Sequence, residues 1–500
     1  MASRLYTDCF VKIFEFLRGD STSLHAAALV NKSWCQHAVP IMWENTLDEK
    51  ILMSRNGKQK GSGIIDTYVS CLSQESRNAL KMEKVVLPTV TRRPTFPYAS
   101  YLRSLDLKCF YIAVQSWIEN CSVLRKRGLS GDQIRLIIQE LLQQIFTLSP
   151  RMHALKINVD IIGAIVADIL HRVPKANKCL AHLKEFMYFA EHPTMEMLFS
   201  KIAQSTGQIE QLDLSVYDRT AELINMLRAQ KNLKVLIITN RTNSPSGFKF
   251  WVDTDAGTVI SEKARTVTYL EIQKIHFPFY DLGRFENLIN LNLLYSGSYS
   301  FQDWAPLADV HLRNLEKISY QNRHSLYLDI FGKFVENSGK NLTHITIRCC
   351  TICDPDKSHI LITSIADYCP NLLHFGGPIG ANNASELGQL LNACSHIESL
   401  ELHPSIDNCK SVASPIDFNP IFRKIALKQP WELRELSVIH GWKFSAEVLE
   451  NFIESRQRIS KKVSVFWNEC EITGNLDKIC QKYQKNGILD KYGKIKANKY

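Results

Sequence analysis

A chain of 500 residues, 45% hydrophobic and 22% charged, is long enough for several ordinary domains or for one elongated repeat array. Its 14 cysteines are scattered, mostly singly, through apolar runs, which argues against a disulfide framework and for reduced thiols in the cytosol or nucleus. A membrane span and a secretory leader are not expected: Asp168 interrupts the apolar stretch Ile161 to Leu170, far short of the roughly 20 residues a crossing needs, and Arg4, Asp8 and Lys12 break the amino-terminal segment.

The first 45 or so residues read as three short helices. Phe10, Ile13, Phe14 and Leu17 fall at i, i+3, i+4 and i+7, one apolar stripe behind Thr7 or Asp8 as a cap. After a break at Gly19-Asp20-Ser21 come a second apolar run (Leu24, Ala27, Ala28) and a third (Trp34, Ala38, Met42). So small a segment buries little area, which predicts that it packs on something else.

The spacing Leu5-x-x-Asp8, Ile13-Phe14-x-x-Leu17, Leu29-Val30-x-x-x-Trp34 and a closing Trp43 resembles the F-box, here over residues 1–48. The resemblance implies docking on a Skp-type adaptor of a cullin-RING ubiquitin ligase through Leu5, Asp8, Phe10, Ile13, Phe14, Leu17, Leu29, Val30, Trp34 and Trp43. The family's proline after the first leucine is Tyr6 in this chain; proline there presets φ at the helix entrance, so its loss is expected to loosen the adaptor contact without abolishing it.

Residues 49–100 read as a connecting segment. Gly57-Lys58-Gln59-Lys60-Gly61-Ser62-Gly63 has the composition of a solvated loop and lacks the spacing of a phosphate cradle, Tyr68 to Met82 reads as a helix, and Pro88, Pro94 and Pro97 follow.

From residue 101 to 475 one phrase recurs: apolar, two residues, apolar, one residue, apolar. It appears at Leu102-Leu105-Leu107, Ile209-Leu212-Leu214, Leu233-Leu236-Ile238, Val267-Leu270-Ile272, Leu288-Leu291-Leu293, Leu342-Ile345-Ile347, Ile397-Leu400-Leu402 and Leu433-Leu436-Val438. Leu315-Ile318-Tyr320 and Leu372-Phe375 are degenerate copies, and Met152-Leu155-Ile157 and Leu180-Leu183-Phe186 are weak ones. Most steps from Ile209 onward fall near the 20 to 29 residues of leucine-rich repeats. In such a phrase the last two apolar residues alternate on a short strand and point inward. Amphipathic helices precede the later copies, for example Leu328, Phe331, Phe334 and Val335, and the break into the strand often reads Asn-Leu. This punctuation resembles the leucine-rich repeats attached to F-boxes, with Asn240 and Cys350 in the polar turn after the strand. The expected fold class is α/β: a short three-helix module, then an irregular leucine-rich-repeat solenoid with parallel strands on its concave face and helices on its convex face.

The remaining chemistry is sparse. Cys349, Cys350, Cys353, Cys369 and His374 invite a zinc reading, but adjacent strand residues point to opposite faces, and structural thiols are expected. No nucleophile motif surrounds any Ser, Cys or Asp, and the spacing of His311, His324, His344 and His359 places no two of them on one face beside a carboxylate. No catalysis, cofactor or metal is therefore expected. Residues 476–500 hold seven lysines against Asp477 and Asp490, half of the net charge of +10, and read as a solvated, partly disordered basic tail. Neither membrane nor nucleic acid is expected as a partner, since the charge does not follow the repeats. The predicted role is a substrate receptor of a ubiquitin ligase, with target contacts at exposed positions such as Gln211, Asp213, Lys234, Val235, Glu398 and Ser399. The alternative is a leucine-rich-repeat binding scaffold or inhibitor outside a ligase.

Overall fold

The computed structural model describes residues 7–47, 49–52, 56–89, 94–189, 195–216, 221–241, 255–274, 277–294, 301–322, 327–349, 355–380, 382–404, 416–428, 432–439, 441–458, 461–468 and 470–494. The chain forms two compact units, Met1–Leu233 and Lys234–Tyr500. Among the described residues no helix is long and apolar enough to cross a membrane.

The first unit opens with α1 (Thr7–Phe16), α2 (Ser21–Ala28) and α3 (Lys32–Met42). Asp20 caps α2 by accepting from the Ser23 amide at 3.0 Å, and Asn31 caps α3 by accepting from the Trp34 amide at 2.9 Å. Phe10, Phe14, Leu24, Ala27 and Ala38 form a buried cluster, with Leu17, Trp34, Ile41 and Met42 packed against it. Trp34 meets the Phe14 ring edge-on at 5.6 Å.

The connecting segment departs from expectation. The glycine-rich stretch is not a solvated loop but the start of a helix, Gly57–Ser70. Gly61 serves close packing: a Cβ there would lie 2.7 Å from Leu52 Cδ2 and 3.1 Å from Ala113 Cβ, on the helix Leu107–Asn120, whereas one on Gly63 would meet open space. Trp117 Nε1 on that helix donates to Asp66 Oδ1 at 3.1 Å. The helix expected over Tyr68 to Met82 is two helices, Gly57–Ser70 and Gln74–Met82, because Ser73 starts the second by accepting from the Ser76 amide at 3.1 Å.

Four parallel strands follow in this unit: β1 (Ser104–Asp106), β2 (Ala154–Ile157), β3 (Glu185–Tyr188) and β4 (Gln211–Val216). Their inward residues Leu105, Leu155, Phe186 and Leu212 are in register and buried. The third phrase is offset from its expected position, with Phe186 and Tyr188 as strand anchors, because Leu180 opens a 3-10 turn, Leu180–His182, before the strand.

In the second unit the strands are β5 (Val235–Asn240), β6 (Tyr269–Gln273), β7 (Asn290–Leu294), β8 (Lys317–Asn322), β9 (His344–Cys349), β10 (His374–Ile379), β11 (Ser399–Pro404), β12 (Ile416–Asp417), β13 (Glu435–Ile439), β14 (Trp442–Ser445), β15 (Val463–Asn468), β16 (Glu471–Thr473) and β17 (Leu489–Lys494). All but β12, β14 and β16 form one parallel sheet, in which Leu236, Leu270, Leu291, Ile318, Ile345, Phe375, Leu400, Leu436 and Val465 share one buried row. β12, β14 and β16 make a small parallel side sheet with no counterpart in the sequence reading. The expected helices appear as Leu328–Ser338, Pro355–Tyr368 and Ala384–Ala393.

The basic segment after residue 475 is also different from expectation. Leu476, Cys480 and Tyr483, at i, i+4 and i+7, bury one face of a helix, Leu476–Lys485, and β17 then pairs with β15. Tyr483 Oη lies 2.7 Å from Glu454 Oε1, and Lys482 Nζ pairs with Glu450 Oε1 at 2.7 Å. Two carboxylate partners and a sparse apolar face thus hold the helix in place; residues 495–500 lie outside the described part.

The cysteines that can be described behave as small apolar groups. Cys394 Sγ donates to the Cys369 carbonyl at 3.2 Å, and burial pushes the Cys394 thiol up to about 12 and Cys369 higher still. No group of three metal-ligating side chains occurs among the described residues, while Cys350 and Cys353 lie outside them.

Candidate functional site

The head residues expected to share one docking surface separate into three places. Phe10 and Phe14 are core, 7% and 1% exposed, and Leu17 and Trp34 lean on them half-buried. Ile13, Leu29 and Val30 face solvent, 45%, 75% and 57% exposed. Phe16, which the sequence reading passed over, is 91% exposed and lies one turn from Ile13 on the flank of α1. Its signal was available: an aromatic at a position outside the apolar stripe of α1. Leu5 lies outside the described residues, and Asp8 is placed only as part of the first turn of α1.

Trp43 occupies a joint instead of the surface. Its ring lies 4.3 Å from Tyr98 and 5.7 Å from Tyr68, between head and connecting segment. Beside it the Glu44 carbonyl accepts two amides, Arg103 at 2.8 Å and Ser104 at 3.2 Å, at the entrance of β1. The same two-donor rung recurs from repeat to repeat. The Arg103 carbonyl accepts from His153 and Ala154, the His153 carbonyl from Lys184 and Glu185, and the Lys184 carbonyl from Glu210 and Gln211. Glu44 therefore fills the position that a preceding repeat would supply. Its side chain is held by Arg18 at 3.0 and 3.2 Å, and burial keeps its carboxyl above the usual range despite that partner.

The Asn-Leu punctuation has its own structural cause. In the second unit Asn287, Asn314, Asn341 and Asn371 donate from Nδ2 to the carbonyls of Arg265, Glu286, Arg313 and Lys340, at 2.7, 2.8, 2.7 and 3.1 Å. Each acceptor sits one repeat earlier, just before the position that the ladder asparagine holds there. In the first unit Asn232 donates instead to a side chain one repeat earlier, Gln208 Oε1 at 2.7 Å. The ladder lines an open trough of about 640 Å³ with Thr268, Glu316 and Thr343. Asn341→Ala removes one exposed rung and is expected to lower the unfolding free energy by about 1 kcal/mol, read as a shift of the denaturation midpoint. Asn240, expected in the polar turn after the strand, is the last residue of β5 and fully buried, and Cys350 lies outside the described residues.

On the open side of the second sheet, strand positions between the buried anchors carry the polar chemistry. Arg348 on β9 reaches Glu401 on β11 with two bonds of 2.7 Å, crossing β10 at Gly376 and Pro378. Gly376 leaves the passage clear: a Cβ there would approach His374 Nε2 at 3.2 Å and Glu401 Cβ at 3.4 Å. His403 Nε2 donates across the same strand to the Ile347 carbonyl. His374 stacks on His344 with ring centroids 6.0 Å apart, and burial lowers its pKa to about 4, so its imidazole is neutral near pH 7. Of the positions expected to meet a target, Lys234 is exposed, while Gln211, Asp213, Val235, Glu398 and Ser399 are half-buried.

No family model matches the chain, and no curated protein matches it. Among solved structures, an internalin (inlF) from Listeria monocytogenes str. 4b F2365 is 10% identical and covers 77% of this chain and 94% of its own, with a TM-score of 0.30. The leucine-rich repeat-containing protein LegL7 from Legionella pneumophila is 14% identical over 58% of this chain and 84% of its own, with a TM-score of 0.31. Likeness at that level bears on nothing further; the repeat architecture stands on the strand register and the two ladders.

Proposed function

We propose that the chain is the substrate-recognition subunit of a cullin-RING (SCF-type) ubiquitin ligase, its head docking a Skp-type adaptor and its open strand face holding the target protein. The observation that carries this reading is the exposed apolar set Ile13, Phe16, Leu29 and Val30, on a head whose spacing resembles the F-box. Large apolar side chains left in water on so small a module are the mark of a surface that a partner covers. The chain's own role is then positional: it raises the target's concentration beside chemistry that its partners supply, and it needs no active site, cofactor or metal of its own.

Co-purification with a Skp-type adaptor tests it. Phe16→Asp and Leu29→Asp are expected to weaken retention by about tenfold or more, because each places a charge in a desolvated contact. Both side chains are exposed, so circular dichroism and thermal midpoint should stay as in the unaltered chain. If the unaltered chain retains no adaptor where an established F-box protein does, the ligase reading is wrong. Tyr6 in place of proline favours the second reading, a leucine-rich-repeat scaffold outside a ligase, in which the array binds its target while the head binds no adaptor.

A further inference from the structure

On β6 and β7 the open face of the second unit carries a carboxylate that is held in place but not neutralised. Glu271 Oε2 accepts from Tyr269 Oη at 2.7 Å and from Asn292 Nδ2 at 3.0 Å, and Asn292 Nδ2 also reaches Tyr269 Oη at 2.7 Å. Three side chains on two strands thus fix one another, and both bonds to the carboxylate fall on one oxygen. Glu271 makes no ion pair among the described residues. In its own row the neighbours are Ile237 on β5, Asn292 on β7 and Ser319 on β8, none of them charged. Lys317, on β8, stands two strands away and one row apart, in register with Asn290. Asn290, which itself faces Tyr269, has a buried Oδ1 with no donor.

The Oε1 atom of Glu271, which takes neither of those bonds, is bordered by the aliphatic Ile237 and Leu294 and calls for a cationic group with several N–H bonds and an apolar stem. A planar guanidinium meets that description better than an ammonium, since its fork can serve Glu271 and a neighbouring acceptor together. We propose that this part of the face reads an arginine side chain in an extended segment of the target, an inference that rests on the array being the target-binding part. Glu271 is the specificity-determining residue, and Tyr269 and Asn292 position it.

A random dodecamer peptide library displayed on phage and panned on the full chain tests the assignment. Peptides selected by the unaltered chain are expected to share arginine at one aligned position. A synthetic peptide of the selected sequence should bind Glu271→Gln about tenfold more weakly, since glutamine keeps an acceptor for Tyr269 and Asn292 but loses the charge. Glu271→Lys should move the selection toward acidic peptides. Absence of enrichment, enrichment without a basic position, or equal binding by Glu271→Gln each overturns the assignment. Adaptor retention is measured on the same proteins and should be unchanged by either variant. A chain that selects arginine peptides yet retains no adaptor loses the ligase reading and keeps this one.

Discussion

Replacing His403 with alanine is expected to destabilise the protein by about 2 kcal/mol, and adding Pro378→Val to that variant is expected to recover most of the loss. The reason lies in the β9–β10 ladder. In this sheet a residue donates to the carbonyl preceding its register partner, as the His374 amide does to the Thr343 carbonyl at 3.0 Å. Continued along β10, the pattern directs position 378 at the Ile347 carbonyl, and proline has no N–H to give. His403 Nε2 donates to that carbonyl instead, from a ring only 7% exposed, two strands away. Alanine at 403 leaves a buried carbonyl unpaired, at the full desolvation penalty. Valine at 378 restores the strand's own donor. Denaturant unfolding of the four chains gives the coupling directly; a Pro378→Val change that recovers nothing in the His403→Ala background would contradict the ladder explanation.

Trp43→Ala is expected to cost about 3 kcal/mol while leaving adaptor retention intact below the unfolding midpoint. The spacing resemblance assigns Trp43 to the adaptor surface, but its ring is committed to Tyr98 at 4.3 Å and Tyr68 at 5.7 Å. Truncation therefore empties the joint, removing aromatic contacts worth about 1 kcal/mol each beyond their buried area. Trp43→Phe should retain roughly half of the stability. Thermal unfolding beside adaptor co-purification separates the two roles: a Trp43→Ala chain that is fully folded at the assay temperature and retains no adaptor would return Trp43 to the docking surface.

The strand anchors were legible because each phrase repeats a physical requirement, an inward residue at every second strand position. Leu236, Leu270, Leu291, Ile345 and Leu400 all stand where the pattern puts them. β15 was not legible, since Lys462 holds the place of the first leucine and Trp467 that of the last. Gly57 to Gly63 misled because composition cannot distinguish a glycine that frees a loop from one that lets two helices approach. For the head, periodicity grouped Phe10, Ile13, Phe14 and Leu17, but a stripe does not say where the core stops, and Ile13 falls outside it. The Asn-Leu recurrence was visible, while its partner carbonyl one repeat away was not. His403 and Glu271 were silent because their meaning depends on neighbours one or two strands distant, Asn292 at 21 residues from Glu271 and Ile347 at 56 from His403.

The rung at Glu44 has a consequence for how the first unit opens. A stack of repeats frays from its ends, where a strand has one neighbour instead of two. β1 has only β2 as a strand neighbour, but the Glu44 carbonyl holds the Arg103 and Ser104 amides and so closes its entrance. Those two amides should exchange with deuterium as slowly as the equivalent pair at His153 and Ala154, and should lose that protection only when α1 to α3 come away together.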